Sequence, residues 1–338
     1  MKSAPVFRLL LTGLTRENVA GIACPPALQT LLRVARPEAS FAGGYASWLC
    51  HLFGAVAVTD VPVGPYAASG DGLPAENGYW LCASPVQLQL QRDSFAMEGL
   101  ALGLSQSDTD ALVEALNTHF SADGMTFHAP RPQAWYVQLD AVPDLRTTPL
   151  SQVLGRDIHP CLPRGADALL WHRRLNEIQM LLHQHPVNEA RELAGLPPVN
   201  SLWFWGGGQL HPLATRPAMR VWAGDALASG LARASGIAVA PLPESARDLL
   251  DAAMPEEGMA VLQAFPDRDT SNASACEARW ADIDRRWIAP LLDALRAGNM
   301  ARLELWVAGA TSMRGYSLQR SSLYKFWRRS RPLENYLG

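Results

Sequence analysis

The sequence has no strong excess of charge of either sign, no paired-cysteine motif, no internal repeat and no low-complexity tract. Its net charge is −3 over 338 residues, which argues against a general nucleic-acid or acidic-membrane binder, since such proteins carry a basic surplus. Cysteine is sparse: Cys24, Cys50, Cys82, Cys161 and Cys276 are widely spaced and never form C-x-x-C. That pattern points to reduced thiols packed as small hydrophobes, so a cytoplasmic location is expected. The opening MKSAPVFRLLLTGLTRENV is interrupted by Arg8 and closed by Arg16 and Glu17. Its apolar run is too short for a signal-peptide core and predicts a first buried strand. The uncharged stretch 39–59 has the length of a membrane span but contains Ser40, Gly43, Gly44, Ser47 and His51. A buried helix followed by a buried strand is expected there instead. No G-x-S-x-G nucleophile elbow occurs, and no serine or cysteine triad is legible.

What the chain does have is apolar mass: 48% of its residues are hydrophobic and 18% charged, the composition of a compact globule with one large or two modest domains. Up to about Pro65 the pattern reads strand, helix, helix, strand. The Gly/Ala/Ser-rich Tyr66–Gly78 then reads as a loop and a domain boundary. Alternation over Val86, Leu88 and Leu90 predicts an amphipathic strand from Tyr79. Ser107 or Asp108 caps a helix with Leu112, Leu116 and Phe120 on one face, ended near Gly124, and MTFHAP and AWYVQLD follow as strands. A Pro-rich passage leads into a long helix over 166–184, stopped by Pro186. Asn188–Ala194 forms one further helical stretch, and a strand spans Ser201–Trp205. From there strands near 219–222, 237–240, 259–264 and 303–307 alternate with helices at 224–234 and 278–297, the signature of a parallel α/β sheet.

The densest run of chemistry-bearing residues is HQHPVNEARELAGLPPVNSLWFWGGG, 183–208. His183 and His185 invite a metal reading, but no third ligand stands out with comparable clarity, and a helix end with two polar histidines is expected instead. Gly206, Gly207 and Gly208 after a strand invite a phosphate-loop reading, yet neither a P-loop Lys-Ser/Thr nor G-x-G-x-x-G spacing follows. A hinge or tight turn is expected. Trp203 and Trp205, two apart on a strand, project to one face and are expected as core anchors. Asn188 and Arg191, three apart on a helix, face the same way. An amide and a guanidinium so placed either grip a carboxylate or phosphate, or serve local capping and an ion pair to Glu189 or Glu192. The C-terminal RSSLYKFWRRSRP carries Lys325, Arg328, Arg329 and Arg331 and reads either as a contact surface for a partner or as a solvated helix end.

Taken together, NEARELAGLPPVNSLWFWGGG resembles the N-x-x-R…G-x-x-P-x-N-x-x-W-x-W-G-x-G signature of the archaeal-type cofactor-independent phosphoglycerate mutases. More closely, the chain resembles their bacterial regulatory branch of RpfE type. GLSQSDTDALVEALNTHF, TTPLSQVLGRDIHPCLPRGAD, WAGDALASGLARASGIAV and DIDRRWIAPLLDAL are similar to further family segments, so the likeness spans roughly Tyr79–Leu295. The resemblance implies an α/β fold: an alkaline-phosphatase-like core with a mostly parallel sheet, residues 1–70 and 198–338, interrupted by a smaller α+β domain, residues 71–197. It also implies two divalent metals, held by aspartates and histidines, that activate a serine to carry the phosphoryl group.

At the positions of those ligands the chain departs from the pattern. The family's Asp-Gly turn after the first strand is Thr12-Gly13. Its late His-Asp-Gly-Asp cluster is replaced by QAFPDRDTSNASACEAR, which retains only Asp267 and Asp269 as acids, and no histidine follows His211. Its Pro-Pro-His-Asp is Pro149-Leu150-Ser151-Gln152, and its Arg-Cys-Asn is Leu81-Cys82-Ala83. The expectation is therefore a degenerate homologue with a regulatory or ligand-sensing role, without metal or other cofactor, in which Asn188, Arg191 and Asn200 form a remnant anion site or a brace. Two alternatives stand beside it. One is an enzyme acting on a small phosphorylated or carboxylated substrate through a rebuilt site of Glu177, His183, His185 and Arg191. The other is an interaction module using the C-terminal basic helix. The expected partners are a small anionic ligand and another protein, not nucleic acid or membrane.

Overall fold

The structure is a computed structural model that describes residues 5–14, 18–57, 59–91, 94–100, 103–216, 218–251, 255–265, 273–309, 311–324 and 329–337. Its strands, in chain order, are β1 (Val6–Thr12), β2 (Arg36–Pro37), β3 (Phe41–Ala42), β4 (Tyr79–Gln91), β5 (Ser94–Leu100), β6 (Met125–Arg131), β7 (Ala134–Leu139), β8 (Ser201–Gly208), β9 (Met219–Ala223), β10 (Ala238–Ala240), β11 (Glu257–Gln263), β12 (Arg302–Ala308) and β13 (Ser312–Gln319). The α-helices are α1 (Pro26–Val34), α2 (Gly44–Phe53), α3 (Val63–Gly70), α4 (Gln106–Phe120), α5 (Ala168–His183), α6 (Pro186–Leu193), α7 (Ala226–Ala234), α8 (Ala246–Leu250), α9 (Ala273–Ile283), α10 (Ala289–Ala297) and α11 (Glu334–Leu337). The chain divides into two compact units: Met1–Leu49 with Ala214–Gly338, and Cys50–Leu213.

The first unit is built on a sheet of order β10-β9-β11-β1-β12-β13-β2, with β3 also on β13. From β10 to β12 every pairing is parallel, and β13 turns back antiparallel to β12. The continuous run Leu9-Leu10-Leu11 in β1 is what a parallel strand covered on both faces requires, and all three side chains are buried. Arg8 breaks the run without breaking the strand. Its guanidinium reaches Glu257 on β11 at 2.8 Å and Glu304 on β12 at 2.9 Å, so it ties together the strands on either side. Where the sequence predicts one helix over 278–297, the structure has α9, a π turn at Asp284–Ile288 and α10.

The second unit is a smaller α+β body. Its sheet runs β5-β4-β7-β6, with β8 also paired antiparallel to β4. Helix α4 is capped by Ser105, whose side chain accepts from the Asp108 backbone N–H while Asp108 returns the bond, two or three residues before the expected cap. Leu112, Leu116 and Phe120 of α4 and Trp171, Leu175, Ile178 and Leu182 of α5 form one core with Phe127, Val137 and Phe204 of the sheet.

Four expectations about elements are corrected. The strand predicted after α2 is absent, and Val56 there is 79% exposed. The Gly/Ala/Ser-rich segment taken for a loop begins as helix α3, buried from Val63 to Ser69. Small residues let that helix approach the strands closely: a Cβ on Gly64 would lie 2.6 Å from the Trp80 carbonyl oxygen. Pro186 does not only stop α5; it opens α6 at the first helical position, where a missing N–H costs nothing. Finally, β8 belongs to the smaller sheet, not to the parallel core, so the units divide after residues 49 and 213 where the sequence suggested 70 and 197.

Candidate functional site

The segment that carries the family likeness lies wholly inside the second unit. Asn188 sits on α6 and is 2% exposed. Its Nδ2 donates to the carbonyls of Leu182 at 2.7 Å and Val199 at 2.8 Å, and its Oδ1 accepts from Val199 N at 2.8 Å. Arg191, one turn further on and 4% exposed, donates from Nε to Pro197 O at 3.0 Å and from Nη1 to Gly103 O at 3.0 Å. Asn200 continues the β8 ladder with its side chain: Oδ1 accepts from Leu88 N and Nδ2 donates to Leu88 O, each at 2.8 Å. Together these groups hold the chain from α5 through α6 into β8 by satisfying backbone polar atoms that no regular element pairs. They do not converge on an open cleft.

The other named candidates separate as well. The His185 ring caps α6, with Nδ1 accepting from Val187 N at 3.2 Å. His183 faces, with Asn200 and Met180, a shallow depression that Glu177, His185 and Arg191 do not line. Glu177 is half-exposed and lies 4.0 Å from His119 Nε2. The rebuilt site of Glu177, His183, His185 and Arg191 is thus not assembled.

Glycines 206–208 end strand β8 where a turn was expected, and they are a packing device. A Cβ on Gly206, which has φ +70°, would come within 2.8 Å of Val63 Cβ; one on Gly207 would overlap the Tyr79 hydroxyl; one on Gly208 would come within 2.5 Å of Pro62 Cβ. Their N–H groups point inward: Gly206 N donates to Thr147 Oγ1 at 3.1 Å, and Gly207 N to Asp60. Asp60 also accepts from Thr147 N at 2.9 Å and from the Thr147 hydroxyl. Burial pushes the Asp60 carboxyl above its usual value, against the pull of these hydrogen bonds. Asp60 and Thr147 carried no signal in the sequence beyond a lone acid closing an apolar run. The aromatics fall as expected, with Trp203 and Trp205 on one face and Phe204 on the other, in the core against Trp171.

Of the positions where the resemblance implies ligands, Thr12-Gly13 and the segment from Gln263 fall at the carboxyl ends of the first unit's parallel strands, whereas residues 81–83 on β4 and residues 149–152 belong to the second unit. Thr12 ends β1 and is the register partner of Gln263 at the end of β11. Thr12 stands where the resemblance places an aspartate and carries a hydroxyl, and its neighbour Gln263, which opens the segment replacing the late cluster, carries a neutral amide. Asp225, just beyond β9, accepts from Ala228 N at 2.9 Å as the cap of α7 and also from the Tyr45 hydroxyl. All eight histidines of the chain lie between residues 50 and 213, so the first unit contains no imidazole. Among the described residues no three His, Cys, Asp or Glu side chains are grouped to hold a metal ion. Asp267 and Asp269 lie outside the described residues. A two-metal phosphotransfer centre needs clustered carboxylates and imidazoles, and the donors among the described residues do not form such a cluster.

No protein-family model matches the chain. It is 39% identical over 72 residues to the 2,3-bisphosphoglycerate-independent phosphoglycerate mutase of Methanothrix thermoacetophila, a match covering 21% of this chain and 18% of that protein. With the enzyme of the same description from Methanosarcina acetivorans it shares 24% over 176 residues, 49% of this chain and 43% of the other. With a probable one from Geobacter sulfurreducens it shares 27% over 135 residues, 38% and 33% of the two chains. The matches thus span less than half the length of these curated relatives. Among solved structures, PH0037 protein from Pyrococcus horikoshii aligns over 99% of this chain and 92% of its own, with 15% identity and a TM-score of 0.54. The cofactor-independent phosphoglycerate mutase from Thermoplasma acidophilum aligns over 99% and 95%, with 16% identity and a TM-score of 0.46. The chain is similar in sequence to phosphoglycerate mutases of this type, and the Pyrococcus likeness is one of fold.

Proposed function

We propose that this protein is a catalytically degenerate phosphoglycerate-mutase-like protein, of the bacterial regulatory branch of RpfE type, that acts by sensing a ligand or partner and does not transfer phosphoryl groups through two metals. The observation that carries this reading is the pairing of Thr12 with Gln263 at the strand ends, in a unit whose sequence contains no histidine. Divalent metals lower a serine's pKa and neutralise phosphoryl oxygens through charged ligand sets. A hydroxyl where the family has an aspartate, beside a carboxamide at the head of the segment that replaces its late cluster, supplies no such charge. The family signature at Asn188, Arg191 and Asn200 is explained without catalysis, because all three bind backbone.

The test is metal analysis of the purified protein together with a coupled assay of 3-phosphoglycerate turnover. The expected result is less than stoichiometric manganese or zinc and no turnover. Two tightly held equivalents of metal with turnover would overturn the proposal.

A further inference from the structure

The second unit contains a cavity of about 370 Å³ between α5, β8 and the 3-10 turn His159–Cys161. Ile158, Leu175, Leu202 and Trp203 form its apolar walls. Asn176 and Gln179 also line it, three apart on α5 and so on the same side of the helix. Among the described residues the Asn176 carboxamide makes no hydrogen bond, and Gln179 makes one long contact, Nε2 to Ser201 Oγ at 3.5 Å. Neither is needed by the protein's own backbone, unlike the amides of Asn188 and Asn200.

The size is at the lower end of small-molecule sites, room for a ring system and little more. No lysine or arginine lines the cavity, and its one carboxylate is Asp157, beside the imidazoles of His159 and His172. An anionic ligand finds no guanidinium or ammonium to pair with and meets the like charge of Asp157. A carboxamide, by contrast, presents a donor and an acceptor side by side and reads a partner edge that does the same.

We infer that this cavity binds an uncharged planar ring bearing a hydrogen-bond donor and acceptor on one edge, held against Ile158, Leu175 and Trp203 and read by Asn176 and Gln179. A free nucleobase and an aryl carboxamide share that chemistry. The inference rests on the ligand-sensing reading above and names its ligand, but its test involves neither metal nor phosphoglycerate, so the two can fail separately.

The full-length protein is titrated with adenine, benzamide and benzoate by calorimetry and ligand-observed NMR. Saturable binding of adenine assigns the nucleobase source, and saturable binding of benzamide the aryl amide. Benzoate is expected to bind at least about tenfold more weakly than the better of the two. Asn176 is exposed, so Asn176→Leu and Asn176→Trp are expected to keep the wild-type melting temperature. The first should weaken binding by about tenfold, and the second, by obstructing the mouth, should abolish it. Failure of both neutral probes to bind, benzoate binding as tightly as either, or unchanged affinity in both variants would overturn the inference.

Discussion

Three backbone groups meet the carboxamide of Asn188, and each would be left buried without a partner if the side chain were removed. Asn188→Ala is expected to lower the unfolding free energy by about 2–4 kcal/mol. Asn188→Asp should do no better, since a carboxylate cannot donate to the Leu182 and Val199 carbonyls. Urea denaturation of the two variants against wild type measures both. A second residue gives the fold a pH dependence. Burial holds the His128 imidazole below its ordinary value, against a hydrogen bond that it donates to Gln138, while its ring packs on Trp80 at 5.2 Å. Below about pH 6.5 the unfolded chain takes up a proton that the folded one resists. This contribution is therefore full above that pH and is lost as the pH falls toward the folded value. His128→Gln should shrink the difference in melting temperature between pH 7.5 and pH 5.5. The sequence showed that Asn188 and Arg191 share a helix face, since spacing alone decides that. It left open whether their polar atoms serve a ligand or the chain, because the carbonyls they bind come from residues 6, 11 and 88 positions away in sequence.

Helix α1 shows the same dependence on distant chain at the scale of an element. Pro25 stands at its N-cap and offers no side-chain acceptor. The Asp284 carboxylate, from the π turn between α9 and α10, accepts from Ala27 N at 3.1 Å and Leu28 N at 2.7 Å instead. Asp284→Ala should cost about 1–2 kcal/mol, the loss seen when a helix cap is removed, and Asp284→Asn should recover much of it; thermal melts compare the two. Elements with a strong period were legible: α4 and α5 bury the residues their spacing selects, and β1 was read from its apolar run. Those that failed did so for packing reasons. The small residues of α3 look like turn formers until β4 and β8 are placed against them. Strand β8 has an apolar run equally suited to either sheet, and only its antiparallel register with β4 assigns it. Strands β5 and β13 were not read at all. β13 alternates buried and partly exposed positions around Arg314 and Gly315 and has no apolar run to announce it.

For the whole molecule, the proposal of a metal-free scaffold has a thermodynamic consequence. A ligand that binds only the folded state raises stability by RT ln(1 + [L]/Kd), so a tight two-metal site would move the melting temperature by several degrees on loading. Millimolar manganese is expected to leave the melting temperature of this protein unchanged, read by calorimetry at fixed ionic strength. The sequence by itself determined the alternation of strands and helices, the family resemblance, the threonine at position 12 and the absence of histidine after His211. Those properties reside in residue identity and local period. The tertiary structure decided that Thr12 and Gln263 stand side by side, that Asn188, Arg191 and Asn200 bind backbone, and that three glycines admit α3 and Tyr79 to close contact. Each of these is a relation between segments far apart in the chain, and only folding brings the partners within hydrogen-bonding or packing distance.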